Sequence, residues 1–126
     1  MMTKSQKKPN SAVRKNDPAA PGVTATSEIK TGKTVEQLIY DLKNGGNEMV
    51  RSAAAGALGH LKSEKAVSAL IQALKDRHVY VRHGAAWALG EIKSEKAVAP
   101  LKQALNDDDE VTRGKAAEAL GKIQGR

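Results

Sequence analysis

The chain has no cysteine and no phenylalanine, and its aromatic content is one tryptophan and two tyrosines. Without cysteine there is no disulfide, no thiol nucleophile and no thiolate ligand for zinc, a pattern at home in a reducing compartment. Aromatics make up 2% of the residues against 40% hydrophobic overall, so the apolar content is Ala, Leu, Val and Ile. That composition suits closely packed helices better than a thick sheet core. Long apolar runs are also missing. No stretch approaches the roughly 18 residues of a membrane span, and the lysines near the start are followed by no apolar signal region. The expectation is a soluble, unexported, cytoplasmic protein with no membrane partner. At 126 residues there is room for one domain and little room for a large enclosed active site.

What is abundant is positive charge, formally +7, with an isoelectric point near 9.7. Most of it lies at one end. Residues 1–33 carry Lys4, Lys7, Lys8, Arg14, Lys15, Lys30 and Lys33 against Asp17 and Glu28, so five of the seven net charges sit there. The same segment holds Pro9, Pro18, Pro21, Gly22 and Gly32 among Ser, Thr and Asn, with no apolar period of 2 or 3.6. Such a segment cannot bury enough surface to offset a chain entropy of roughly 1–2 kcal/mol per ordered residue. Residues 1–33 are expected to be a disordered basic tail.

From Thr34 onward the chain repeats. VRSAAAGALGHLKSEKAVSALIQALKD from Val50 returns as VRHGAAWALGEIKSEKAVAPLKQALND from Val81, and in part as TRGKAAEALGKIQ from Thr112, a period of 31 residues. VEQLIYDLKN at Val35 matches VSALIQALKD at Val67 with one extra residue, which falls in the Gly45-Gly46 turn. A period of about 30–40 residues marks a solenoid of two-helix units.

Each unit reads as two amphipathic helices. Val67, Leu70, Ile71 and Leu74 keep helical spacing in one; Val81, Ala85, Ala88, Leu89 and Ile92 do so in the other. Thr34 with Gln37 forms a capping box, Asn44-Gly45-Gly46-Asn47 ends one helix and starts the next, and Asp107 to Glu110 place negative charge at a helix start. Pro100 falls in a first turn, where a missing N–H costs little. The pattern predicts helices at about 34–44, 48–61, 65–75, 79–92, 96–106 and 110–123, paired as 34–61, 65–92 and 96–123 within a domain of residues 34–126. Ala54, Ala55, Ala57 and their equivalents one and two periods on keep the second helix of each pair thin, so that neighbours can stack closely.

The pattern VRxxAAxALGxI followed by KAVxPLxxAL resembles the short, Ala-rich HEAT-like repeats found in phycobilisome lyases and many prokaryotic proteins. The resemblance covers residues 34–126. It implies an all-α fold, a right-handed α-solenoid of three HEAT-like helix pairs with a disordered N-terminal tail, in which the second helix of each pair lines the concave surface. The family holds scaffolds, adaptors and a few enzymes, so it implies a fold more than an activity.

One stretch, Val81-Arg82-His83-Gly84-Ala85-Ala86, is similar to the repeats of deoxyhypusine hydroxylases, where a His-Glu pair supplies iron ligands. Here Gly84 stands in place of the Glu, and the matching residues are Ser52-Ala53 and Gly114-Lys115. One histidine without a second ligand set cannot hold two irons. His60, His78 and His83 also lack i, i+4 spacing. There is no Gly-rich phosphate loop and no Ser/His/Asp order. The expectation is no enzyme, no metal and no cofactor.

The binding residues are sought on a helix face. Projected at 100° per residue, Tyr80, His83, Trp87 and Glu91 fall opposite the core stripe, which turns the sole Trp to solvent. Equivalent positions bring Ser52, Gly56 and His60 on one side, with Met49 beside them, and Glu118 and Lys122 on the other, with Val111 and Gly114. An exposed aromatic among small polar residues is a common protein-interface anchor. The expected function is therefore a non-catalytic protein-interaction module or adaptor that binds a protein or peptide on the concave face around Trp87, as a monomer or weak homo-oligomer. The alternatives are nucleic-acid binding by the basic tail and an accessory role similar to bilin lyase subunits. Arg51, Arg82 and Arg113 share one repeat position; Asp76 is expected to pair with Arg82, and Asp107 with Arg113, across the turn within each repeat.

Overall fold

A computed structural model describes residues 32–125. The disorder expected of residues 1–33 lies outside the described residues, apart from Gly32 and Lys33. Among those described, six α-helices follow one another: α1 (Val35–Asn44), α2 (Glu48–Leu61), α3 (Val67–Ala73), α4 (Val79–Ile92), α5 (Val98–Ala104) and α6 (Glu110–Ile123). They form the three pairs that the period requires.

Local chemistry sets the helix starts. The Thr34 hydroxyl accepts from the Gln37 N–H at 3.2 Å and the Gln37 side chain accepts from the Thr34 N–H at 2.9 Å, which completes the capping box of α1. Asn47 accepts from the Val50 N–H at 3.0 Å to cap α2, and Asp109 accepts from the Thr112 N–H at 2.8 Å to cap α6. The predicted helices at 65–75 and 96–106 are shorter than expected. Each opens with a 3-10 turn, Glu64–Ala66 and Glu95–Ala97, before α3 and α5 begin. The Ala66 N–H reaches back only to Ser63, and that of Ala97 only to Ser94, because the turn after the preceding helix leaves no carbonyl four residues back in line. Pro100 is the third residue of α5, inside its first turn. Helices α2 and α4 stop at Lys62 and Lys93, which take the left-handed conformation with φ of 53° and 62°.

The packing is in two layers. α2, α4 and α6 lie side by side and make the most extensive contacts between elements; α1, α3 and α5 form the second layer, each against the second helix of its own pair. The core runs between the layers through Leu38, Leu58, Leu70, Val81, Leu89 and Leu101. Within the first layer the alanines do what their size predicts. Ala55, Ala86 and Ala88 are fully buried in the seams between helices. Two glycines bring the backbones closer still. A Cβ on Gly59 would lie 2.8 Å from the Ala88 Cα, and one on Gly90 would lie 2.8 Å from the Ala119 Cα. No side chain fits at either crossing.

Candidate partner-binding face

Because α2, α4 and α6 repeat with the same period and run parallel, residues 31 apart align in rows across their outer face, one helix spacing of about 8–10 Å from step to step. Met49, Tyr80 and Val111 make the first row and are 66%, 57% and 50% exposed. Ser52, His83 and Gly114 make the second, Gly56, Trp87 and Glu118 the third, and His60, Glu91 and Lys122 the fourth. The face therefore grades from an apolar row near the helix starts to a charged row near their ends.

The rows are tied across the seams. Trp87 does not stand in solvent as the projection predicted; it is half-buried against the core. The ring lies over the bare backbone of Gly59, so close that a Cβ there would meet its Cζ3 at 2.6 Å, and His60 meets it edge-on with centroids 4.9 Å apart. A single-helix projection cannot see this, because the slot that receives the ring belongs to the neighbouring repeat. Tyr80 keeps its exposure and lies 6.0 Å, centroid to centroid, from His83. The His83 Nε2 sits 2.6 Å from Asp109 Oδ2, which joins α4 to the cap of α6. Glu91 is paired with Lys122 across the same seam. Glu118 and Lys122 are exposed on α6, Gly56 faces open space on α2, and the Ser52 hydroxyl donates to the Met49 carbonyl at 3.3 Å.

Charge on this face is held by these contacts. The Asp109 carboxyl is lowered to about 2, first by its hydrogen bond to His83 and then by the Thr112 N–H and hydroxyl. Glu91 is held below the usual carboxylate range, chiefly by Lys122.

The arginine positions require a correction. The Asp76 carboxylate pairs with Arg51 of the preceding repeat, not with Arg82: Arg51 Nε donates to Oδ2 at 2.8 Å and Arg51 Nη2 to Oδ1 at 3.0 Å. Likewise Asp107 pairs with Arg82 and not with Arg113, more loosely, with Nη2 to Oδ1 at 3.3 Å and Nε 3.1 Å from Oδ2 but out of line for a hydrogen bond. What each arginine takes from its own repeat is a backbone carbonyl: Arg51 Nη1 donates to Gly45 at 3.0 Å, and Arg82 and Arg113 donate to Asp76 and Asp107 at 2.8 Å. The side chain leaves α2 or α4 sideways, toward the next helix pair, so the carboxylate in reach lies 25 residues ahead instead of six behind. Burial pushes the Asp76 carboxyl up, but the Arg51 hydrogen bonds and the His78 N–H outweigh it, and the group stays below its ordinary value. Both spacings recur in the sequence, so no count of residues could choose between them. The contact of His83 with Asp109 was equally hidden, although the same 25–26 residue offset carries it.

Among the described residues no three His, Asp or Glu side chains are placed to hold a metal ion, and no helix is long and apolar enough to cross a membrane. The rows, the seams and the arginine ladder define an α-solenoid built from helix–turn–helix repeats. The family model for HEAT repeats matches residues 35–122, and the chain belongs to that family. No curated protein matches it.

Proposed function

We propose that this chain is a non-catalytic interaction module that binds a protein or peptide on the outer face of the α2–α4–α6 layer, around Trp87. The observation that carries the reading is the row of Met49, Tyr80 and Val111, three large apolar side chains exposed at one repeat position, on the same face as a half-buried tryptophan two rows on. Scattered apolar residues need no explanation, but three aligned at one repeat position on one face fit a partner surface. The HEAT family supports it, since such repeats commonly serve as scaffolds. On the same face His83 with Asp109, and Glu91 with Lys122, form pairs that tie one repeat to the next.

The test is site-specific photocrosslinking in the native lysate, with the reactive group at Tyr80, at Met49, or at Lys102 on the opposite layer. Discrete adducts from Tyr80 and Met49, absent from Lys102 and persisting between about 50 and 200 mM salt, are expected. Adducts that vanish over that salt range, or that form equally from Lys102, would transfer the binding to the basic tail or to no defined face.

A further inference from the structure

Among the described residues, the outer sides of the first and last helix pairs are unfinished copies of the seams between pairs. Val81 and Thr112, at equivalent positions of α4 and α6, are 0% exposed beneath the preceding repeat, whereas Val50 in α2 is 37% exposed. Val50 lines a shallow hollow together with Leu38, Met49, Ala53 and Asp41. At the other end Ala117 is exposed, although its equivalents Ala55 and Ala86 are fully buried. Inside the stack, Gly84 sits on Ala55, and Ala88 and Ala119 sit on Gly59 and Gly90. Continuing that register would set Ala53 on Ala117 and Ala57 on Gly121.

Charge points to the same two faces. Arg51 and Arg82 each find a carboxylate in the following repeat; among the described residues Arg113 has only the Asp107 carbonyl. At the α1–α2 end the aspartate position of the ladder is Asn44, and Arg51 Nη1 donates to the carbonyl of the next residue, Gly45, at 3.0 Å. One helical turn earlier, with its carbonyl bonded to the Gly45 N–H at 2.7 Å, stands Asp41, in place of the buried Ala73 and Ala104 of the other repeats. The carboxylate is displaced by a turn but lies on the same end face, where it now pairs with Lys33.

From these features we propose that a second copy of this chain docks its α1–α2 end on the α5–α6 end, with Val50 and Ala53 against the Ala117 side of α6 and Asp41 facing Arg113. The contact is heterologous, so it leaves one free end on each molecule and generates head-to-tail chains instead of a closed dimer. Met49 borders both this contact and the outer face of the α2–α4–α6 layer; the rest of that face remains open along the chain of copies.

Sedimentation velocity on the full chain, from about 10 μM to about 1 mM, tests this, because a weak contact of this kind populates a ladder of species in that range. The wild type is expected to form dimers and larger species as concentration rises. Asp41→Arg alone and Arg113→Glu alone each place like charges at the contact, and each should weaken association at least about tenfold. An equimolar mixture of the two variants should associate again, because each supplies the end that complements the other. Circular dichroism checks that both variants keep their helices. A wild type that stays monomeric throughout would overturn the proposal, as would association that neither charge reversal affects. Failure of the mixture to recover association would do the same.

Discussion

Replacing Gly90 by Ala places a methyl group where α4 crosses α6. Built on the existing backbone, that carbon would lie 2.8 Å from the Ala119 Cα and 3.0 Å from the Ala119 Cβ, against an ordinary carbon–carbon separation of about 3.5–4.0 Å. Backbone stands on both sides of the clash, so no side chain can rotate away. The helices must separate, and overpacking of this kind costs about 1–3 kcal/mol. Opposing it, Ala is better than Gly inside a helix by about 1 kcal/mol. The net expectation is a loss of about 1–2 kcal/mol, with Gly59→Ala behaving likewise because its Cβ would strike Trp87 and Ala88. Gly56→Ala and Gly114→Ala are the controls, since a Cβ at either meets nothing within 4 Å; there the propensity term stands alone and each should gain up to about 1 kcal/mol. Urea unfolding followed by circular dichroism gives the midpoints, and unchanged slopes confirm a comparison of stabilities. The thermal midpoints should move by about 4–8 °C per kcal/mol, in opposite directions for the two classes. If Gly90→Ala proves as stable as Gly114→Ala, the close approach of α4 and α6 is not what holds a glycine there.

The remaining expectations use the same assays. Asp76→Ala strands the buried Arg51 guanidinium and should cost about 3–5 kcal/mol, whereas Arg113→Ala, at the exposed end of the ladder, should stay within about 0.5 kcal/mol; equal losses would contradict the cross-repeat pairing. Trp87→Ala should lose about 2 kcal/mol, between a surface and a core tryptophan, and the Trp87 emission should be only partly quenched by iodide. Asp109 is depressed from an ordinary 3.8 to about 2, so its contribution to stability is complete above the ordinary value and is lost as pH falls through about 2. A carbon-detected NMR titration should place this carboxyl near 2, and His83→Asn should move it up. Lys93→Gly relieves a left-handed non-glycine residue and should raise stability by about 1 kcal/mol; no gain would show that the Lys93 side chain offsets that strain.

The positions of the helices, their pairing and the thinness of α2, α4 and α6 could be read from the chain because each rests on local or periodic information. A capping box needs only Thr34 and Gln37, a core stripe only the spacing of Val81, Ala85 and Leu89, and the solenoid only the return of one pattern every 31 residues. The short 3-10 turns before α3 and α5 were not legible, since Ser-Glu-Lys-Ala serves an α-helical first turn equally well.

The binding face divides along the same line. Sequence alone determined which residues share a row, because the row follows from the period, and it determined that Tyr80 would be among the outward residues. Only the tertiary structure decided how deeply Trp87 lies, which carboxylate each arginine takes, and that His83 and Glu91 are held by Asp109 and Lys122. Each of these depends on the lateral offset between adjacent repeats, a distance set by Gly59 and Gly90 pressing against the next helix. A periodic sequence repeats every such offset identically, and therefore carries the pattern of the rows but not the choice of neighbour across the seam.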